Sequence, residues 1–154
     1  MTGSSTDIAT NSTNIVGFFT ADHRACDELW ASAEAALDSG DEAQGRTAFE
    51  AFEAAMERHF GREEEHLFPA LEAATGMAGM GPTAVMRAEH RQMRAVLMQM
   101  RTALDAGDSG EVLDQGDTLL MLIQQHNAKE EAMLYPMAEQ RLGEQWAVLR
   151  ARLK

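Results

Sequence analysis

Apolar residues along this chain recur in alternating steps of three and four. In the first stretch the series is Val16, Phe19, His23, Cys26, Trp30, Ala33 and Leu37. The second runs Phe49, Phe52, Met56, His59, Glu63, His66 and Ala70, and the third Thr83, Met86, His90, Met93, Leu97, Met100 and Leu104. The fourth runs Gly116, Leu119, Ile123, His126, Glu130, Met133 and Met137. Such stepping is the buried seam of a left-handed helix bundle. Breaks fall at Asp38–Asp41, Thr75–Pro82 and Asp105–Gly110, which leaves helices over about 13–38, 42–74, 82–105 and 110–140. A short fifth helix is expected over about 142–153. Asp41, Thr83 and Ser109 are the expected N-caps, and Gly40, Gly76 and Gly107 stand near the C-termini. The pattern predicts an all-α, up-down-up-down four-helix bundle with a short C-terminal fifth helix. A Ser/Thr/Asn-rich tail, 1–12, is expected to be flexible, and 13–154 to form a single domain.

Polar residues interrupt the seam at regular places. His23 and His90, His59 and His126, and Glu63 and Glu130 are each 67 residues apart. The same offset carries Leu67-Phe68-Pro69 onto Leu134-Tyr135-Pro136, and relates Phe19 to Met86, Trp30 to Leu97 and Phe52 to Leu119. Two similar helical hairpins are therefore joined by the glycine-rich stretch from Thr75 to Pro82. At about 1.5 Å per residue, His23 (about 17 residues before its turn) and His59 (about 19 after it) stand at one height. The second hairpin repeats this arrangement.

His59/Glu63 and His126/Glu130 have i, i+4 spacing, which places each pair on one helix face. Two carboxylates in an apolar seam cost several kcal/mol each unless they are neutralised. Salt-bridged glutamates among hydrogen-bonded core histidines are one answer. Two metal ions, each taking two histidines and bridged by the glutamates, are the better one, because six such residues fall in one layer. Imidazole with carboxylate suits iron, manganese or zinc, and helix-bundle cores hold dimetal carboxylate sites.

The set His23…His59-x-x-x-Glu63…His90…His126-x-x-x-Glu130 resembles the hemerythrin-like HHE cation-binding domain over about 13–140. The resemblance implies an oxo- or hydroxo-bridged centre of two iron ions, with those six residues as ligands, handling O2, NO or peroxide. Oxygen carriers of that family have a further histidine where this chain has Arg94, and space the last carboxylate at five, where it has Glu131. The symmetric pattern looks more like the proteins that repair iron centres, which usually carry an additional cysteine-containing N-terminal domain. The expected function is binding of O2 or NO for sensing, storage or scavenging. The alternative is repair of iron centres, or reduction of peroxide or NO, at the same site. A zinc or manganese regulatory module is a third, weaker reading. No catalytic residue outside the centre is identified.

Other residues receive structural readings. His66 is a possible extra ligand, but a place at the rim is preferred. Cys26 and the seam methionines read as core filling. Asp22 and Glu89 are candidates for orienting an imidazole. Tyr135 is assigned to packing beside the seam. Pro69 and Pro136 are expected to bend or end their helices.

Composition narrows the partners. The net charge of −12 disfavours nucleic acid and anionic membranes as partners. The single cysteine excludes an intramolecular disulfide and suits a reducing interior. The start of the chain lacks the features of a signal peptide, and no stretch approaches a membrane span. A cytoplasmic location is expected, with an unidentified electron-transfer partner.

Overall fold

A computed structural model describes residues 14–153, so the expected tail lies outside the described residues. Helices α1 (Ile15–Ser39) and α2 (Glu42–Arg62) form one antiparallel hairpin. A π-helical turn (Glu63–Leu67) continues α2 into α3 (Phe68–Thr75). Helices α4 (Pro82–Asp105) and α5 (Ser109–Lys129) form the second hairpin, and another π turn (Glu130–Leu134) leads into α6 (Tyr135–Leu142). A 3-10 turn (Gly143–Gln145) precedes α7 (Trp146–Arg152), the expected short fifth helix. The described residues are all-α, as the seam predicts, with four long rods in antiparallel pairs. No helix among them is long and apolar enough to cross a membrane.

Local chemistry sets the ends of these elements. Asn14 accepts from the Gly17 amide at 2.7 Å, and Asp41 from that of Gln44 at 3.1 Å. Gly40 and Gly76 turn left-handed at φ 84 and 72, a conformation a side chain would strain. Two expected caps are displaced. Pro82 opens α4 behind Gly81, so Thr83 is buried and donates to Glu72 Oε2 at 2.7 Å. Asp108, not Ser109, caps α5 by accepting from Glu111.

The prolines do not end the helices. In each rod the chain inserts one extra residue per turn just ahead of the proline. The Phe68 amide bonds to the Glu63 carbonyl and the Tyr135 amide to that of Glu130, five residues back. Such π turns are frequent at functional sites. The insertion rotates everything downstream, so the alternating seam fails there. Met133, expected in the core, is 63% exposed, while Leu134 and Tyr135 are buried.

Two apolar clusters fill the bundle, one on each side of the polar layer. Trp30, Phe49, Phe52, Leu97, Leu119 and their neighbours pack toward the hairpin loops. Phe19, Phe68, Leu71, Tyr135 and Trp146, with theirs, pack toward the linker and the chain ends. The histidines and glutamates are held between these clusters with almost no access to water.

Candidate metal centre

All six expected ligand residues meet in one buried layer. His23, His59, His90 and His126 are at most 3% exposed, and Glu63 and Glu130 are completely enclosed. Helices α1 and α2 supply His23 and His59, with ring centroids 4.7 Å apart; α4 and α5 supply His90 and His126, 4.9 Å apart. The glutamates are the first residues of the two π turns, one helical turn beyond a histidine.

Each carboxylate reaches into both hairpins. Glu63 Oε1 is 3.3 Å from His59 Nε2 and 3.1 Å from His90 Nε2. Glu130 Oε1 is 3.1 Å from His126 Nε2 and 2.9 Å from His23 Nε2. The donor atoms form two overlapping groups, His23–His59–Glu63–Glu130 and Glu63–His90–His126–Glu130, all within 4.8 Å of one another in each. Both glutamates belong to both groups, as a bridged pair of metals requires.

A second ring of carboxylates fixes the imidazoles. His59 Nδ1 pairs with Asp22 at 2.8 Å and His126 Nδ1 with Glu89 at 2.8 Å. His90 Nδ1 pairs with Glu64 at 2.6 Å and His23 Nδ1 with Glu131 at 2.8 Å. Every outer nitrogen thus has a carboxylate partner, which leaves Nε2 aimed inward. These partners obey the repeat, Asp22 with Glu89 and Glu64 with Glu131. Asp22 and Glu89 orient the histidines of the adjacent helix rather than their own chain neighbours. Glu64 escaped the sequence reading, although the offset from Glu131 would have shown it. Arg94 grips Glu64 with two nitrogens at 2.8 and 3.0 Å. It stands where oxygen carriers have a histidine, and acts on His90 through that carboxylate.

Tyr135 is the main correction. Its ring is fully buried, and its hydroxyl lies 2.7 Å from Glu63 Oε2, 3.0 Å from Glu130 Oε1 and 2.9 Å from His23 Nε2. The π turn brings it there; a regular helix would have left it beside the seam. Its repeat partner Phe68 has no hydroxyl, so the two halves differ at this point. His66 is not brought into the layer. The same rotation leaves it half-buried at the surface with Arg58, Arg62 and Arg152.

The electrostatics report concentrated charge. Burial opposes a charged His59, but Glu63, Asp22 and Glu130 overcome it and hold its pKa well above the ordinary value. His90 is raised against burial by Glu63 and Glu64. Burial would raise Glu130, yet the polar groups packed around it, Glu63 and three imidazoles among them, hold it well below the usual range. Glu64 is drawn down to about 2, against its burial, by His90 and Arg94. Burial and the two glutamates push the Tyr135 phenol well up.

Protons alone satisfy this layer poorly. Nε2 of His59, His90 and His126, Oε1 of Glu63 and Oε2 of Glu130 are buried without a hydrogen-bond partner. Buried polar atoms of this kind require an explanation, and all five belong to residues of the two donor groups. Imidazole nitrogen with carboxylate oxygen suits a borderline divalent or trivalent cation. Fold and site together define a helical-bundle protein with a buried His/Glu site suited to two metals.

The profile of the Hemerythrin HHE cation binding domain matches residues 14–138, and the chain belongs to that family. Comparison with curated proteins and with solved structures gives no match.

Proposed function

We propose that this chain is a non-haem di-iron protein that binds O2 or NO for sensing, storage or scavenging. The observation that supports it best is the set of five buried, unpartnered nitrogen and oxygen atoms on residues of the two donor groups. His23 and His59 would hold one iron and His90 and His126 the other, with Glu63 and Glu130 shared. Bound iron supplies open coordination positions and accessible redox states. The chain's own residues do the rest. Asp22, Glu64, Glu89 and Glu131 fix the imidazole rings. The two apolar clusters exclude water. Tyr135 donates to Glu63 and so restrains the carboxylate that both positions share.

The Tyr135 hydroxyl also favours a second reading, reduction of peroxide or NO, because it sets a buried O–H within hydrogen-bond distance of both shared carboxylates. Protein purified without added metal is expected to contain two irons per chain, matching the two donor groups. The reduced protein is expected to give a visible charge-transfer band with O2 that reverses on degassing. Irreversible oxidation with turnover of peroxide or NO would select the second reading. Fewer than about one metal per chain would end the dimetal assignment. Glu63→Ala or Glu130→Ala is expected to lose at least one metal, since each glutamate serves both groups; two irons retained in both variants would refute the bridging roles.

A further inference from the structure

His66 and its neighbours form a second polar cluster, on the outside of the bundle. An open depression of about 460 Å³ lies beside the first π turn; Arg58, Gly61 and His66 line it from one rod and Arg152 from α7. Pockets of that size suit small molecules. Carboxylates outnumber lysine and arginine in this chain by 25 to 13. Arg46, Arg87, Arg94, Arg101 and Lys129 each hold a carboxylate. Arg58 and Arg152 are exposed and hold none among the described residues, and His66 has no hydrogen-bond partner among them. Arg62, in the wall, is committed to Asp22 at 3.0 Å and to the face of Phe18 at 5.2 Å. Glu57 is turned to Arg94 at 2.8 Å, which leaves Glu65, exposed at the rim.

The floor of the depression is a separate observation. Gly61 stands inside α2 with nothing within 4 Å of where a Cβ would lie. Its φ is not positive, and glycine is the poorest helix former after proline. The π turn that follows does not demand it, because the repeat has Ala128 ahead of the second π turn. The repeat also has Gln125 for Arg58 and Met133 for His66, so the cluster belongs to the first half alone. Gly61 thus keeps the helix surface bare among nitrogen donors. Guanidinium groups match phosphate oxygens, and an imidazole offers an N–H in either charge state. We infer that this depression binds a small soluble phosphate monoester, held by Arg58, Arg152 and His66 over the bare backbone at Gly61. Glu65 accepts from a hydroxyl of the same molecule, which favours an organic phosphate over the inorganic ion. The net charge of −12 disfavours a membrane as the source. Because Arg58 and Arg152 come from α2 and α7, the ligand ties the closing helix to the rod that carries His59 and Glu63. The inference does not depend on which metal fills the centre.

The test is calorimetric titration of the full chain, as purified, with glycerol phosphate, inorganic phosphate and glycerol in chloride buffer of constant ionic strength. Glycerol phosphate is expected to bind with a Kd below about 1 mM, inorganic phosphate more weakly, and glycerol not at all. Arg58→Gln and Arg152→Gln are each expected to weaken glycerol phosphate roughly tenfold or more, the scale of one charge-assisted hydrogen bond. His66→Met, which installs the residue of the other half, is expected to weaken it too. Arg91→Gln, an exposed arginine of the other hairpin, is expected to change nothing. Gly61→Ala is expected to raise the melting temperature while weakening glycerol phosphate, with helicity and metal content unchanged. A lowered melting temperature would show that the glycine answers a packing need, and would overturn the inference. So would unaltered affinity in both arginine variants, or a wild-type chain that binds neither phosphate. Binding to vesicles with a phosphate headgroup, without binding of glycerol phosphate, overturns the soluble ligand in favour of a lipid.

Discussion

A phenol enclosed with two carboxylates is a demanding arrangement, and Tyr135 is where this chain departs most from its own internal symmetry. Its hydroxyl satisfies Glu63 Oε2 at 2.7 Å. Tyr135→Phe places at this position the residue the repeat has at 68. With metal removed, the variant is expected to lose about 1–3 kcal/mol of stability, the cost of an orphaned buried acceptor. Urea unfolding of chelator-treated protein measures it, and an unchanged midpoint would show that Glu63 has another partner. The raised pKa values of His59 and His90 set a pH dependence. Protonation of a group whose folded pKa is raised stabilises the fold fully below its unfolded value, about 6.5 for histidine, and that stabilisation is lost as pH rises through the folded value. Metal-free protein is therefore expected to lose stability between about pH 6.5 and the raised values. Metal binding must displace the same protons, so its affinity is expected to rise over that interval. Calorimetry in buffers of different ionisation enthalpy would detect the released protons, and no release would contradict protonated histidines.

Within the helices, large and small residues trade places between the two halves. Trp30 stands where the second hairpin has Leu97, and Gly116 where the first has Phe49. A Cβ on Gly116 would lie 2.3 Å from Trp30 Cζ2. Gly116→Ala gains about 1 kcal/mol of helix propensity, but overpacking a rigid indole costs about 1–3 kcal/mol. The melting temperature is expected to fall, and Trp30→Leu to restore it in the double variant. The seam was readable because packing enforces the helical period wherever that period holds. It predicted the four rods, and it placed His23, His59, His90 and His126 in one layer. It failed after Glu63 and Glu130, where one extra residue per π turn shifts the phase. Extrapolating the period put Met133 inside and left Tyr135 at the flank; the structure reverses them. The warning was in the sequence, in the repeated Leu-aromatic-Pro segments whose prolines cannot donate a backbone hydrogen bond. The carboxylates behind the imidazoles were only half readable. They orient rings on neighbouring helices, and such pairings depend on how the rods are docked.

At the scale of the whole molecule, the site and the bundle interior are the same place. Each hairpin brings two histidines and one glutamate, and each donor group needs both glutamates. Metal removal is expected to loosen the packing between hairpins more than the helices within them, so near-ultraviolet circular dichroism should fall further than far-ultraviolet. Equal losses would mean that the helices themselves depend on metal. The match of the family profile to 14–138 spans both hairpins, so membership and site coincide.

The crossing of the carboxylates has a consequence for cooperativity. Glu63 touches His59 of its own hairpin and His90 of the other, and Glu130 touches His126 and His23 in the same way. Capture of a first ion would immobilise both glutamates and draw the hairpins together, so a second ion would meet donors already in place. Loading should then approach all-or-none, with singly occupied molecules scarce during titration. The bundle would act as a coincidence detector, answering to a pair of ions far more strongly than to one.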